Sequence, residues 1–210
     1  GTTDVNNNLD VDTNANGGTG GAITDTGAGV LDIEGTTTLD SGTADITLDN
    51  VANDFTDNVI VTAAANVSID DANALSFGAV SATGNGDVDT AGAVDFTGAA
   101  SFGGNLDVDT NVNGGAGGNI TDTTGSLSVT GTSTLDAGTS SITLDNVAND
   151  FGMAVTITAA MNATLDDANA ISFAGVTVSN DMNVDSAGAV TFTGTTDVNN
   201  NLDVDTNANG

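Results

Sequence analysis

The chain repeats itself at an interval of 96–97 residues, so closely that residues 1–17 and 194–210 are the same peptide, GTTDVNNNLDVDTNANG. Between these ends ITLDNVANDF begins at Ile46 and again at Ile142, and LDVDTN begins at Leu9, Leu106 and Leu202. The chain therefore reads as repeat one over 1–97, repeat two over 98–193 and the opening of repeat three over 194–210, in one continuous array. A unit that recurs this way buries its apolar face against its neighbours and builds an extended object, which places structure or adhesion ahead of catalysis.

A finer beat lies inside the long repeat. A short apolar strand ends directly in aspartate at Asp12, Asp40, Asp70, Asp89, Asp109, Asp136, Asp166, Asp185 and Asp205, at spacings of 28, 30, 19, 20, 27, 30, 19 and 20 residues. Each segment holds three strand-like stretches separated by Gly, Asn, Asp and Thr, the residues of tight turns. Insertions fall at fixed places, one glycine-rich (Asn14–Ala22) and one spanning Asp49–Asp57. This cycle predicts an all-β right-handed parallel β-helix, a β-solenoid with three short strands per rung and four rungs per long repeat. Two inward columns are expected. One runs Val11, Leu39, Ile69, Val88, Val108, Leu135, Leu165, Val184 and Val204. The other runs Ile23, Ile46, Leu75, Val94, Ile120, Ile142, Ile171 and Val190. Asn8, Asn66, Asn85, Asn105, Asn162 and Asn201, four residues before a marker aspartate, suit an asparagine ladder. Tandem Ig-like β-sandwiches are the alternative, since ~100 residues is also their usual size. They explain the long period but not an aspartate recurring four times within it.

Composition narrows the function. There is no Lys, Arg, His, Cys, Pro, Trp or Tyr, and the formal charge is −29, all of it Asp except Glu34. Nucleic acid and anionic membrane surfaces are poor partners for a chain without cations. Disulfides are excluded, and no apolar run is long enough to span a membrane. Nucleophilic catalysis lacks a His or Lys base. Acidic-polysaccharide cleavage lacks the cation that would hold developing negative charge. Carboxylate pairs repeated every few rungs look like a lattice, not one tuned acid beside one tuned base. The chain is read as no enzyme.

One aspartate per rung sets like charges ~4.8 Å apart, which costs roughly 1 kcal/mol per neighbouring pair even in water. Four rungs carry a second outward carboxylate: Asp10 with Asp12, Asp87 with Asp89, Asp107 with Asp109, and Asp203 with Asp205. Three of these pairs run on into Asp-x-Asp-x-Asn-x-Asn-Gly, adding Asn14 and Asn16, Asn111 and Asn113, and Asn207 and Asn209. Alternating oxygen donors before a turn glycine resemble the first half of an EF-hand loop, and an all-oxygen set favours Ca2+ over zinc or copper. The bidentate acid at loop position twelve is replaced by Ile23 or Ile120, with Asp25 and Asp122 two residues on as substitutes. The plain alternative is that Asp, Asn and Gly form tight turns without any metal.

The run from Ile142, ITLDNVANDFGMAVTITAAMNATLDDANAISFAGVTVSN, followed by MNVDSAGAVTFTG, resembles the repeats of large secreted bacterial surface proteins of the filamentous-haemagglutinin-like adhesin type. The resemblance covers essentially the whole chain. It implies a right-handed parallel β-helix at the cell surface or outside the cell. The absence of any basic residue departs from that pattern and counts against heparin-type binding. Two roles are expected from the combined reading: a structural repeat of a long extracellular fibre or stalk, stabilised by calcium, or a calcium-dependent adhesin. The partners implied are copies of the chain itself, head-to-tail or lateral through bridging cations, and a cell-surface or polysaccharide partner.

Overall fold

A computed structural model describes residues 1–15, 18–25, 27–112 and 116–207. Every strand pairing is parallel, the described residues contain no α-helix, and the chain winds as a β-solenoid of about nine turns. Repeat one supplies β1 (Thr2–Val5), β2 (Leu9–Asp12), β3 (Ile23–Thr24), β4 (Val30–Ile33), β5 (Thr37–Asp40) and β6 (Ile46–Leu48). It continues through β7 (Asp54–Phe55), β8 (Val59–Ala64), β9 (Val67–Asp71), β10 (Leu75–Ala82), β11 (Gly86–Thr90) and β12 (Val94–Phe96). Repeat two supplies β13 (Ala100–Phe102), β14 (Leu106–Asp109), β15 (Ile120–Thr121), β16 (Leu127–Val129), β17 (Ser133–Asp136) and β18 (Ile142–Leu144). Next come β19 (Asp150–Phe151), β20 (Ala154–Ala160), β21 (Ala163–Asp167), β22 (Ile171–Val178), β23 (Met182–Ser186) and β24 (Val190–Phe192). β25 (Thr196–Val198) and β26 (Leu202–Asp205) open repeat three.

Side chains alternate in and out along each strand, and the inward ones fill a single core from Ile23 to Val184. Its largest members are phenylalanines, with Phe77 stacked on Phe96 at 5.5 Å and Phe173 on Phe192 at 5.2 Å between ring centroids.

Three faces run the length of the solenoid. Face one carries β1, β4, β7, the first half of β10, β12, β15, β18, β21, β23 and β26; face two carries β2, β5, β8, the second half of β10, β13, β16, β19, the first half of β22 and β24; face three carries the rest. β10 and β22 each turn a corner without a loop, the register of β10 slipping between Phe77 and Val80 at Gly78-Ala79. Counting their halves separately, a 96–97 residue repeat passes through thirteen strand arms, four turns of three and one arm over.

That extra arm corrects the expected columns. The segment Asp49–Asp57 is not a turn insertion. It contains β7, where Phe55 is 1% exposed and pairs in register with Ile33. The first column therefore splits into three files on three faces. Val11 lies beside Leu39 on face two, Ile69–Val88–Val108–Leu135 form a file on face three, and Leu165–Val184–Val204 form one on face one. The second column splits in the same way, into Ile23–Ile46, Leu75–Val94–Ile120–Ile142 and Ile171–Val190. The asparagine ladder exists over part of its expected length. The Oδ1 of Asn66 accepts the N–H of Asn85 at 2.8 Å, Asn85 accepts that of Asn105 at 2.8 Å, and Asn105 accepts that of Thr132 at 3.0 Å. These bonds run from amide oxygen to backbone, not amide to amide. Asn8 and Asn162 start separate ladders on other corners, and in the second the amide-to-amide bond does form, Asn180 Nδ2 donating to Asn162 Oδ1 at 2.8 Å.

The described residues of the glycine-rich insertions form no strand, and a threonine closes each. Thr110 Oγ1 donates to Gly118 O at 2.8 Å and accepts the Gly118 N–H at 2.9 Å, and Thr13 does the same with Gly21 at 2.6 and 2.9 Å. Gly117 sits at φ +88°, where a Cβ would stand 2.1 Å from Ala137 O. The left-handed conformation alone costs an L-residue ~1–2 kcal/mol, before the collision is added. Gly117→Ala is expected to lower the melting temperature by at least ~3 °C in a thermal melt followed by circular dichroism.

Candidate functional site: the carboxylate files

Each marker aspartate follows an apolar residue of its strand, and five of the nine cap the corner that follows. Oδ1 of Asp12, Asp109 and Asp205 accepts the backbone N–H two residues on, from Asn14 at 2.8 Å, Asn111 at 2.7 Å and Asn207 at 2.9 Å. Asp40 and Asp136 receive Gly42 and Gly138 likewise. These are Asx-turns, and they explain these five aspartates structurally without a metal. The amide nitrogens of Asn14 and Asn111 reach one rung further and donate to Oδ1 of Asp40 and Asp136, at 2.5 and 2.6 Å. The asparagines of the half EF-hand pattern thus tie one rung to the next.

The predicted donors fall on three faces. Asp10, Asp12 and Asn14 lie on face two, Asp10 opposite Thr38 and Asp12 opposite Asp40. Asp87, Asp89, Asp107, Asp109 and Asn111 lie on or beside face three, and Asp203, Asp205 and Asn207 on or beside face one. Asn16, Asn113 and Asn209 lie outside the described residues.

Only on face three do two doubled rungs meet, with Asp87 beside Asp107 and Asp89 beside Asp109 in exact register of the strands. Asp70 continues the file on one side and Asp136 on the other. Asp49, which follows directly on Leu48 opposite Ile69, extends it and acts electrostatically on Asp70. A second file, on face one, runs from Asp145, which follows Leu144, through Asp166 and Asp185 to Asp205.

With no cation nearby, Asp70, Asp89, Asp107, Asp136 and Asp166 bind protons more tightly than an ordinary carboxyl. Burial, then Asp89, Asp49, Asp87 and Asp25, pushes Asp70 up to about 7. Burial together with Asp87, Asp109 and Asp107 takes Asp89 to about 6. Burial, then Asp185, Asp145 and Asp122, takes Asp166 to about 6. Asp107 and Asp136 are raised by burial first and by their carboxylate neighbours second. The common cause is desolvation of a charge that has no counter-charge.

A shallow polar groove of about 300 Å³ runs along the start of these strands, lined by Asn85, Asp87, Asn105, Asp107, Thr132 and Thr134 among others. It offers carboxylate, amide and hydroxyl oxygens and no nitrogen or sulfur ligand suited to a transition metal. Among the described residues no three acidic side chains converge on one point fit to hold a metal. The rungs present carboxylates in facing pairs. Such an arrangement suits a cation shared between rungs, with water completing its shell, more than an enclosed EF-hand cage.

A second built feature escaped the sequence reading. In the turn after β18, buried Asn149 donates to Asp122 Oδ2 at 2.7 Å and to Leu144 O at 3.1 Å, while its Oδ1 accepts the Leu127 N–H at 2.8 Å. Asn53 makes the same three bonds in repeat one, to Asp25, Leu48 and Leu31. Beside this clasp the backbone ladder is interrupted. The N–H of Phe151 is taken by Asp167 Oδ2 at 2.9 Å, and that of Phe55 by Asp71 Oδ2 at 2.8 Å. Burial drives Asp71 up to about 6 against the pull of those backbone hydrogen bonds, and Asp167 is raised for the same reason. The signal was present as the duplicated NVANDF, but only the fold shows that its Asn and the later aspartate pin the extra arm.

The chain belongs to the DUF5649 repeat family. The family pattern, described as repeats of unknown function, matches residues 1–62, 64–116, 104–158 and 160–210. No curated protein and no solved structure matches the chain. The DUF5649 repeats seen here are thus rungs of one solenoid, and the family pattern runs on across the repeat boundaries as the strands do.

Proposed function

We propose that this run of DUF5649 repeats is a structural segment of a long extracellular fibre or surface stalk, non-catalytic and stiffened by calcium. The observation that carries the reading is that pairing crosses both repeat boundaries without a break. β10 pairs with β13 and β11 with β14 across the first boundary, and β22 with β25 and β23 with β26 across the second. A core with no seam makes a rod, and a rod is lengthened by adding repeats. The likeness to filamentous-haemagglutinin-like adhesins supports an extracellular setting. Electron microscopy of arrays of two, four and six repeats provides the test. The account expects particles of constant width whose length grows by ~21 Å per repeat, from four and a third rungs of ~4.8 Å. Separate beads on linkers would overturn it.

Calcium enters through the facing carboxylates, whose repulsion a shared divalent ion relieves. At about one hundred times its dissociation constant an ion bound only by the folded state contributes ~2.7 kcal/mol. Millimolar CaCl2 at pH 7.5 is therefore expected to raise the melting temperature by ~5–10 °C over EDTA. NaCl matched for ionic strength is expected to do less. Equal effects of the two salts would remove calcium from the account and leave the rod. The adhesin role separates in the same sample: EDTA that abolishes bundling or cell attachment while filaments stay intact favours adhesion, whereas EDTA that unravels the rod makes the ion structural.

A further inference from the structure

We propose that the array is a threefold screw, so that whatever one repeat displays is displayed on three sides of the rod. The inference rests on the rod reading and adds to it. Thirteen arms on three faces leave a remainder of one, and each repeat therefore starts one face later than the last. Asp4 lies on face one, its equivalent Ser101 on face two, and the third equivalent, Asp197, on face three. All three are exposed at the middle of their strands.

The outward features follow the same step. The doubled carboxylates appear on face two as Asp10 and Asp12, on face three as Asp107 and Asp109, and on face one as Asp203 and Asp205. The rigid Asn-Val-Ala-Asn turn also moves one corner, holding Val51 outward at 55% exposure between faces three and one, and Val147 at 58% between faces one and two. A repeat of twelve arms would have placed every copy in a straight line and made a one-sided ribbon. The thirteenth arm, β7 in repeat one and β19 in repeat two, removes that sidedness. A surface recognised by a partner recurs every ~21 Å, turned by about 120°, and returns to the same side after three repeats, ~62 Å. The rod can then be engaged from any direction, and no side of it is free of carboxylate.

Spin-label distances on the full chain test this. The chain has no cysteine, so Asp4→Cys, Ser101→Cys and Asp197→Cys can be labelled in pairs without background. All three positions are exposed and none contributes to the core or to the carboxylate files. On a screw the labels form a triangle. The Asp4–Ser101 and Ser101–Asp197 distances should be equal at ~30 Å, and Asp4–Asp197 should be about four fifths of their sum, given ~21 Å of rise per repeat and faces ~15–20 Å wide. Three narrow distances that add, near ~21, ~21 and ~42 Å, would overturn the screw and leave a straight rod. Broad distances for every pair would overturn the rod itself.

Discussion

The protein should melt at a higher temperature at pH 5 than at pH 8, the opposite of the usual loss of stability on acidification. Asp70 stands at about 7, and Asp71, Asp89 and Asp166 at about 6, against an ordinary value of 3.8. A carboxyl whose folded value lies above its unfolded one binds protons more tightly in the fold. Its contribution is complete below ~3.8 and is lost as pH climbs through 6 to 7. Each unit of displacement corresponds to ~1.4 kcal/mol, which we discount to roughly a third because these side chains still reach water and titrate as coupled neighbours. About 2 kcal/mol remains between pH 8 and pH 5, or ~4–8 °C for a chain of this size. Raising NaCl should narrow the gap by lifting the pH 8 value more, since repulsion is what salt screens. A melting temperature that is flat or falls from pH 8 to pH 5 would mean that the aspartates are solvated separately and do not stand in files.

The second large effect is expected from Asn149→Ala. Asn149 is 0% exposed and makes three hydrogen bonds, to Asp122, Leu144 and Leu127. Truncation leaves the Leu127 N–H unpaired where water does not replace the side chain, and takes a donor from the Leu144 carbonyl and from Asp122 Oδ2, which keeps only the Asn146 N–H at 3.3 Å. Each of these losses costs ~1–3 kcal/mol, which puts the variant at about 4 kcal/mol and ~8–16 °C below the parent. Val147→Ala, at the exposed tip of the same turn, should stay within ~1 °C, because it removes no buried contact. Equal effects of the two would mean that the clasp does not hold the extra arm in place.

These expectations show where the sequence was readable. Alternation of apolar and polar residues, aspartate at the strand end and glycine at the corner are local signals, and they led to parallel rungs with apolar files. Counting arms per repeat was not a local matter. Asp54–Phe55 is two residues long and sits in a stretch rich in Asn and Asp, so it read as a turn. It becomes a strand because Phe55 fills the core against Ile33 while Asp71 and Asn53 supply bonds that a ladder partner would otherwise give. Leu75–Ala82 posed the opposite problem, since one unbroken strand serves two faces. The candidate site was half legible. Asp87, Asp89, Asp107 and Asp109 do stand together, but Asn14 and Asn111 spend their amides tying rungs, which composition and spacing do not reveal.

The central claim is the path of the chain from rung to rung, and backbone NMR contacts between neighbouring strands test it most directly. The account predicts that Leu39 lies next to Val61, Ile69 between Leu48 and Val88, and Leu165 between Leu144 and Val184. Contacts joining Leu39 to Ile69 and Leu135 to Leu165 would contradict it. They would restore a single straight file of aspartates and a repeat of four whole turns.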